Sequence, residues 1–280
     1  MAKTPGPKQA HPKHGLKPRQ MDLFGDTPTA VCAPSWRPPD VNLQTVSDPD
    51  LLALIPKANL SNVGDLCDEV LNRDLGDAAV AALDALWHRF RGYGDKGVLV
   101  EQRGALDTLA RIETATAREA LTRIVRATHP DTVLPSVLQA AVAAGLAVPL
   151  RQLEHWLDHK LPEVRVCGFT LVQKANPPAY LLEKGLSDPY PSVRRAALIS
   201  AGLLGHAFAK QGLLQELDRA PGSQVIAALV GILDEDILVL LRRHGAQNDA
   251  LRPLIIDELK ETEDPKALNI AMQLAAHKSR

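Results

Sequence analysis

Aromatic side chains make up only 4% of this chain of 280 residues, too few for the strands of a sandwich or barrel, which draw on aromatic and β-branched residues. Ala, Leu and Val carry the apolar content instead, a bias that favours stacked helices. Cysteine is equally scarce. Cys32, Cys67 and Cys167 stand far apart, without the paired spacing of a zinc site or a disulfide framework. No metal and no cofactor is expected, and a reducing, cytoplasmic compartment fits best. The chain also lacks an uncharged run long enough to span a bilayer, and its first residues lack the apolar stretch of a secretory signal. No membrane partner is therefore expected. A net charge of −1 excludes a protein that coats nucleic acid with its whole surface, since that requires a field of Lys and Arg to displace counterions. Local basic patches are left open.

With 45% hydrophobic and 23% charged residues, the chain has the content of a globular protein with a sizeable core. Its first 46 residues differ from the rest. They hold Pro5, Pro7, Pro12, Pro18, Pro28, Pro34, Pro38 and Pro39, a density that no helix survives, so residues 1–46 read as a disordered tail and 47–280 as the folded body. Trp36 and residues 41–46 are placed to pin the end of the tail to that body. From Met1 to Met21 there are five cations, Lys3, Lys8, Lys13, Lys17 and Arg19, and no acidic residue. Lys13, Lys17 and Arg19 are candidates for contacts with phosphates; the alternative is that they only keep the tail solvated.

Within this polar tail, Gln20, Met21, Asp22, Leu23 and Phe24 display two large apolar side chains where nothing local can bury them. The run resembles the short peptide with which many bacterial replication and repair proteins dock onto the DNA sliding clamp. In such peptides a glutamine is followed two residues later by a small or acidic residue and then Leu-Phe. Met21 stands where the family usually has Leu. The resemblance implies that Leu23 and Phe24 enter an apolar pocket while the Gln20 amide makes hydrogen bonds beside it, the usual division between buried anchors and orienting polar groups. The competing expectation is that Leu23 and Phe24 fold back as a latch on the body.

Beyond the tail, apolar residues recur at intervals of three and four almost to the C-terminus. Ser47 or Asp48 can cap a first helix carrying Leu51, Leu52, Leu54 and Ile55. Fourteen further helices are expected between Asn62 and His277, broken at Gly and Pro. Four valines mark a repeat: Val137, Val164, Val193 and Val225 follow one another at spacings of 27, 29 and 32 residues. A self-similar period near thirty residues of paired helices is the signature of a solenoid.

The clearest unit runs from Leu186 to Leu198 and contains Asp188-Pro189 followed by Val193-Arg194-Arg195-Ala196-Ala197; Leu157 to Arg165 is a weaker copy. This resembles the core of HEAT repeats, and the resemblance implies an all-α superhelix whose Asp and Arg serve as scaffold between adjacent repeats. Asp188 with Arg194, and Asp158 with Arg165, are therefore read as scaffold that ladders between adjacent repeats and not as catalytic groups.

Candidates for chemistry are few. Gly92 to Gly97 holds three glycines but follows a helix and lacks the spacing of a phosphate loop. His155 and His159 lie one helical turn apart, a spacing that can face a metal; without a third ligand nearby, an exposed polar face is the better reading. Trp87-His88-Arg89-Phe90-Arg91-Gly92-Tyr93 followed by Lys96 interleaves cations with aromatics. Arg89, Arg91, Tyr93 and Lys96 are thus candidates for nucleic-acid contacts; otherwise Trp87 and Phe90 belong to the core. No catalytic residue is assigned. The expectation is a non-enzymatic adaptor that binds a protein cargo on its solenoid and a sliding clamp through its tail. HEAT-like folds also include DNA glycosylases, so a DNA-binding protein or glycosylase-like repair enzyme is the first alternative. A protein-interaction scaffold unrelated to DNA is the second.

Overall fold

Proline and glycine punctuate this chain at positions that start and stop helices. Pro135, Pro162, Pro191 and Pro265 each open a helix at its first position, where the missing N–H costs nothing and φ is already helical. At the other end, Gly145 (φ +58°) and Gly205 (φ +79°) adopt the left-handed conformation. Their N–H groups bond the carbonyls of Val142 and Gly202, and the next residues, Leu146 and His206, reach back to Ala141 and Ala201, which satisfies the last carbonyls of the helix. Elsewhere side chains cap. Ser47, Thr114 and Asp234 accept the N–H of Asp50, Ala117 and Ile237 respectively.

The structure, a computed structural model, describes residues 42–90 and 97–276; among these there are fifteen α-helices, short 3-10 turns and no strand. Seven helices form one row: α2 (Val63–Asn72), α4 (Val100–Arg111), α6 (Pro135–Ala143), α8 (Pro162–Val172), α10 (Pro191–Leu203), α12 (Ser223–Gly231) and α14 (Leu251–Lys260). Each packs on the next member of that row. The others alternate with them: α1 (Asp48–Leu54), α3 (Gly76–Arg89), α5 (Ala115–Ala127), α7 (Leu150–Leu157), α9 (Ala179–Leu186), α11 (Lys210–Arg219), α13 (Glu235–Gln247) and α15 (Pro265–Ala276). Each of these packs on an even-numbered neighbour. No helix packs extensively on one more than two places away in the chain. The core runs between the rows as one continuous cluster rich in Leu, Val and Ala.

Val137, Val164, Val193 and Val225 are each the third residue of α6, α8, α10 and α12, and none is more than 1% exposed. The repeat legible in the sequence is therefore a repeat of helix register along the even row. Small residues set the spacing. A Cβ added to Gly231 of α12 would overlap the Gly202 carbonyl oxygen of α10, and one added to Gly202 would lie 2.7 Å from the Ala228 carbonyl oxygen. The two backbones touch there. At the start of the chain, Arg73 donates to the carbonyls of Leu43 and Val46 and to Asp48 and Glu69, so the helical unit begins at Asn42. Trp36 lies outside the described residues.

Candidate interaction surface

The outward face of the even row is short of charge at its middle. α6 and α12 contain no charged residue at all. Across α6, α8, α10 and α12 runs a groove of about 400 Å³, with Val142, Val166, Ala196, Ile199 and Leu203 among its walls. Leu203 keeps 39% of its surface in water. Three of the polar side chains in the groove are engaged by the protein itself, while Ser192 and Gln224 are exposed. Thr170 Oγ1 donates to the Val166 carbonyl at 3.0 Å, back-bonding within α8. Gln173 Nε2 donates to Ser200 Oγ at 2.9 Å, and that hydroxyl donates on to the Phe169 carbonyl at 2.7 Å. Arg195, the one charged residue lining the groove, pairs with Glu216 of α11 at 3.0 Å. What remains open is a largely apolar floor that carries no unpaired charged residue. Depletion of charge at the centre of a patch is the compositional mark of a protein-binding surface.

A buried ion pair fixes the two helices that carry this floor. Arg165 of α8, only 8% exposed, gives Nε and Nη2 to the two carboxylate oxygens of Asp188 at 2.8 and 3.0 Å. Its Nη1 bonds the carbonyls of His159 and Lys160, and its guanidinium lies 5.4 Å from the centre of the Tyr190 ring. Burial works to raise the Asp188 carboxyl, yet the hydrogen bonds from Arg165 and the Tyr190 N–H, with the charges of Arg165 and Arg194, hold it below the usual carboxylate range. Neither Asp–Arg set pairs within its own unit. Arg194 donates to the backbone carbonyls of Asp188 and Pro189, and Asp158 pairs with Lys184. Bidentate pairing reaches across to the next unit because the turn before α10 lies against the start of α8, bringing residues 23 apart in sequence together.

His159 is committed to the backbone. Its Nδ1 accepts from the Leu161 N–H at 3.1 Å, so the proton sits on Nε2, which donates to the Asp131 carbonyl at 3.2 Å. Neither nitrogen is left for a metal, and no group of metal-binding side chains occurs among the described residues. Arg89 is exposed, but one guanidinium nitrogen holds the carbonyls of Pro56 and Ala58, and its charge lies 4.8 Å from the Phe90 ring centre. Trp87 and Phe90 are half-buried against the core. They border a cavity of about 380 Å³ together with His88, Gln102 and His129. None of its described lining residues is a carboxylate. Arg91, Tyr93 and Lys96 lie outside the described residues, as do Lys13, Lys17 and Arg19 and the motif residues Gln20, Met21, Asp22, Leu23 and Phe24.

Both described cysteines are buried and free. Burial, with a smaller push from Glu163, raises the Cys167 thiol to about 11. Burial also raises Cys67 despite its hydrogen bond with Thr108. Neither suits nucleophilic or redox chemistry. No family model matches the chain, and no curated protein matches it. No described helix is long and apolar enough to cross a membrane.

Proposed function

We propose that this protein is a HEAT-like α-solenoid adaptor. On this reading the even-numbered helices form the inner layer of a superhelix, and their charge-poor middle binds a protein cargo. The tail motif Gln20 to Phe24 recruits the whole to a bacterial sliding clamp, in DNA replication or repair. The observation that carries the cargo site is the groove over α6, α8, α10 and α12, whose lining is largely apolar and holds a single charged residue, itself paired with Glu216. A DNA-binding face would need unpaired cations there instead. The clamp link rests on the sequence of the tail alone. A tether of this kind adds location and avidity even when its own affinity is modest.

Titration of the full chain against purified bacterial sliding clamp tests the recruitment step. Saturable binding that disappears in the Leu23→Ala, Phe24→Ala double variant supports it. Binding unaffected by that variant, or none, removes the clamp from the reading and leaves the cargo site to be judged separately.

A further inference from the structure

One joint of the even row has an anchored guanidinium whose carboxylate is missing. Arg165 and Arg194 each follow a marker valine, and each uses Nη1 to hold the carbonyls six and five residues back: His159 and Lys160 for Arg165, Asp188 and Pro189 for Arg194. The two side chains are anchored alike. What their remaining nitrogens meet differs. Nε and Nη2 of Arg165 bind the carboxylate of Asp188, which stands five residues before Val193 of the next even helix and also accepts the Tyr190 N–H at 2.9 Å. For Arg194 the corresponding position, five residues before Val225, is Ala220; Pro221 takes the place of Pro189 and Gly222 that of Tyr190. A methyl group replaces the carboxylate.

Among the described residues, Nε and Nη2 of Arg194 and the Gly222 N–H make no hydrogen bond. The acidic residues of α11 face other partners, Glu216 towards Arg195 and Arg219, and Asp218 towards His244. Ala220 is exposed, and Gly222 lacks the ring that Tyr190 lays beside the Arg165 guanidinium. We infer that Arg194 and the Gly222 N–H form a carboxylate-binding site, filled in the preceding joint by Asp188 and here by an acidic side chain of the cargo. A guanidinium fork offers two parallel N–H groups to the two oxygens of a carboxylate, and the same three donors satisfy Asp188 one unit earlier. Arg194 adjoins Arg195, which lines the groove. That the carboxylate comes from a cargo rests on the cargo-site reading above; the site itself does not.

Acetate titrated into the full chain at constant ionic strength, with the Arg194 Nε–H and Gly222 N–H resonances followed and chloride and phosphate as comparison anions, tests the site without any cargo. Both signals should move together and saturate with acetate, and the affinity should fall at least ~10-fold when Ala220→Asp supplies the carboxylate from within. The same substitution should raise the melting temperature by about 2–4 °C. That gain should vanish in an Arg194→Gln background and should not be reproduced by Ala220→Asn. A response no greater than that to chloride, an acetate response that survives Ala220→Asp, or a melting temperature that Ala220→Asp leaves unchanged would overturn the site. Saturation by phosphate with acetate inert would overturn the carboxylate. None of these outcomes bears on the groove, so the site and the cargo reading fail separately.

Discussion

Arg165 illustrates how a single side chain can define a joint between units. With four hydrogen bonds and almost no exposure, its removal leaves the largely shielded Asp188 carboxylate with only the Tyr190 N–H and the charge of Arg194. Arg165→Ala should therefore cost about 3–5 kcal/mol in denaturant unfolding, while the Arg165→Met, Asp188→Leu pair should cost less than Arg165→Met alone. The same pair makes stability depend on acid. Because the Asp188 carboxyl is held below its unfolded value, its contribution is complete above that value, about pH 4, and is lost as pH falls through the folded one. Wild-type stability should drop more between about pH 5 and pH 3 than that of Asp188→Asn. The buried thiols give a third expectation. In a Cys32→Ser background, Cys67 and Cys167 should resist a thiol reagent at pH 8 until denaturant is added, in line with their burial and raised pKa. Rapid labelling in buffer would contradict the packing described. Arg165 also marks a limit of reading sequence: its scaffold role between units was legible, but that its partner would be Asp188, 23 residues away, was not. Ion pairs between units depend on which turns come together, and a one-dimensional pattern does not encode that.

Helices, by contrast, were almost fully legible. Their signals are local: proline at the first position, Ser, Thr or Asp as caps, glycine at a left-handed stop. Ser47 caps α1 and the four marker valines fall in register, because capping chemistry and the apolar period act within one or two turns. The groove was not legible. Its lining comes from four helices, and its signal, the absence of charge throughout α6 and α12, is visible only once those helices are known to be near neighbours in a row. The close approach of α10 and α12 yields a test at this scale. Gly231→Ala, which forces a Cβ onto the α10 backbone, should destabilise by about 1–3 kcal/mol. Gly64→Ala, with open space around its Cβ inside α2, should instead stabilise by about 0.5–1 kcal/mol. Equal effects in thermal melts would show that helix propensity, not contact, governs both.

Across the whole molecule, stability should be graded. Interior helices such as α8 and α10 are flanked on both sides along the row, while α1 and α15 have neighbours on one side only. A chain stabilised by nearest-neighbour interfaces opens from its ends. Native-state hydrogen exchange should find the amides of α1 and α15 least protected and those of α8 and α10 most. Uniform protection across all fifteen helices would imply a single cooperative unit instead.

Because among the described residues each helix packs extensively only on those one or two places along, tension applied between α1 and α15 passes through the row's interfaces in series. The weakest interface yields first, and its release lengthens the molecule without unseating the rest. A cargo held across α6 to α12 would staple three of those interfaces together, so loading the groove would stiffen the body against pulling forces transmitted from one end to the other.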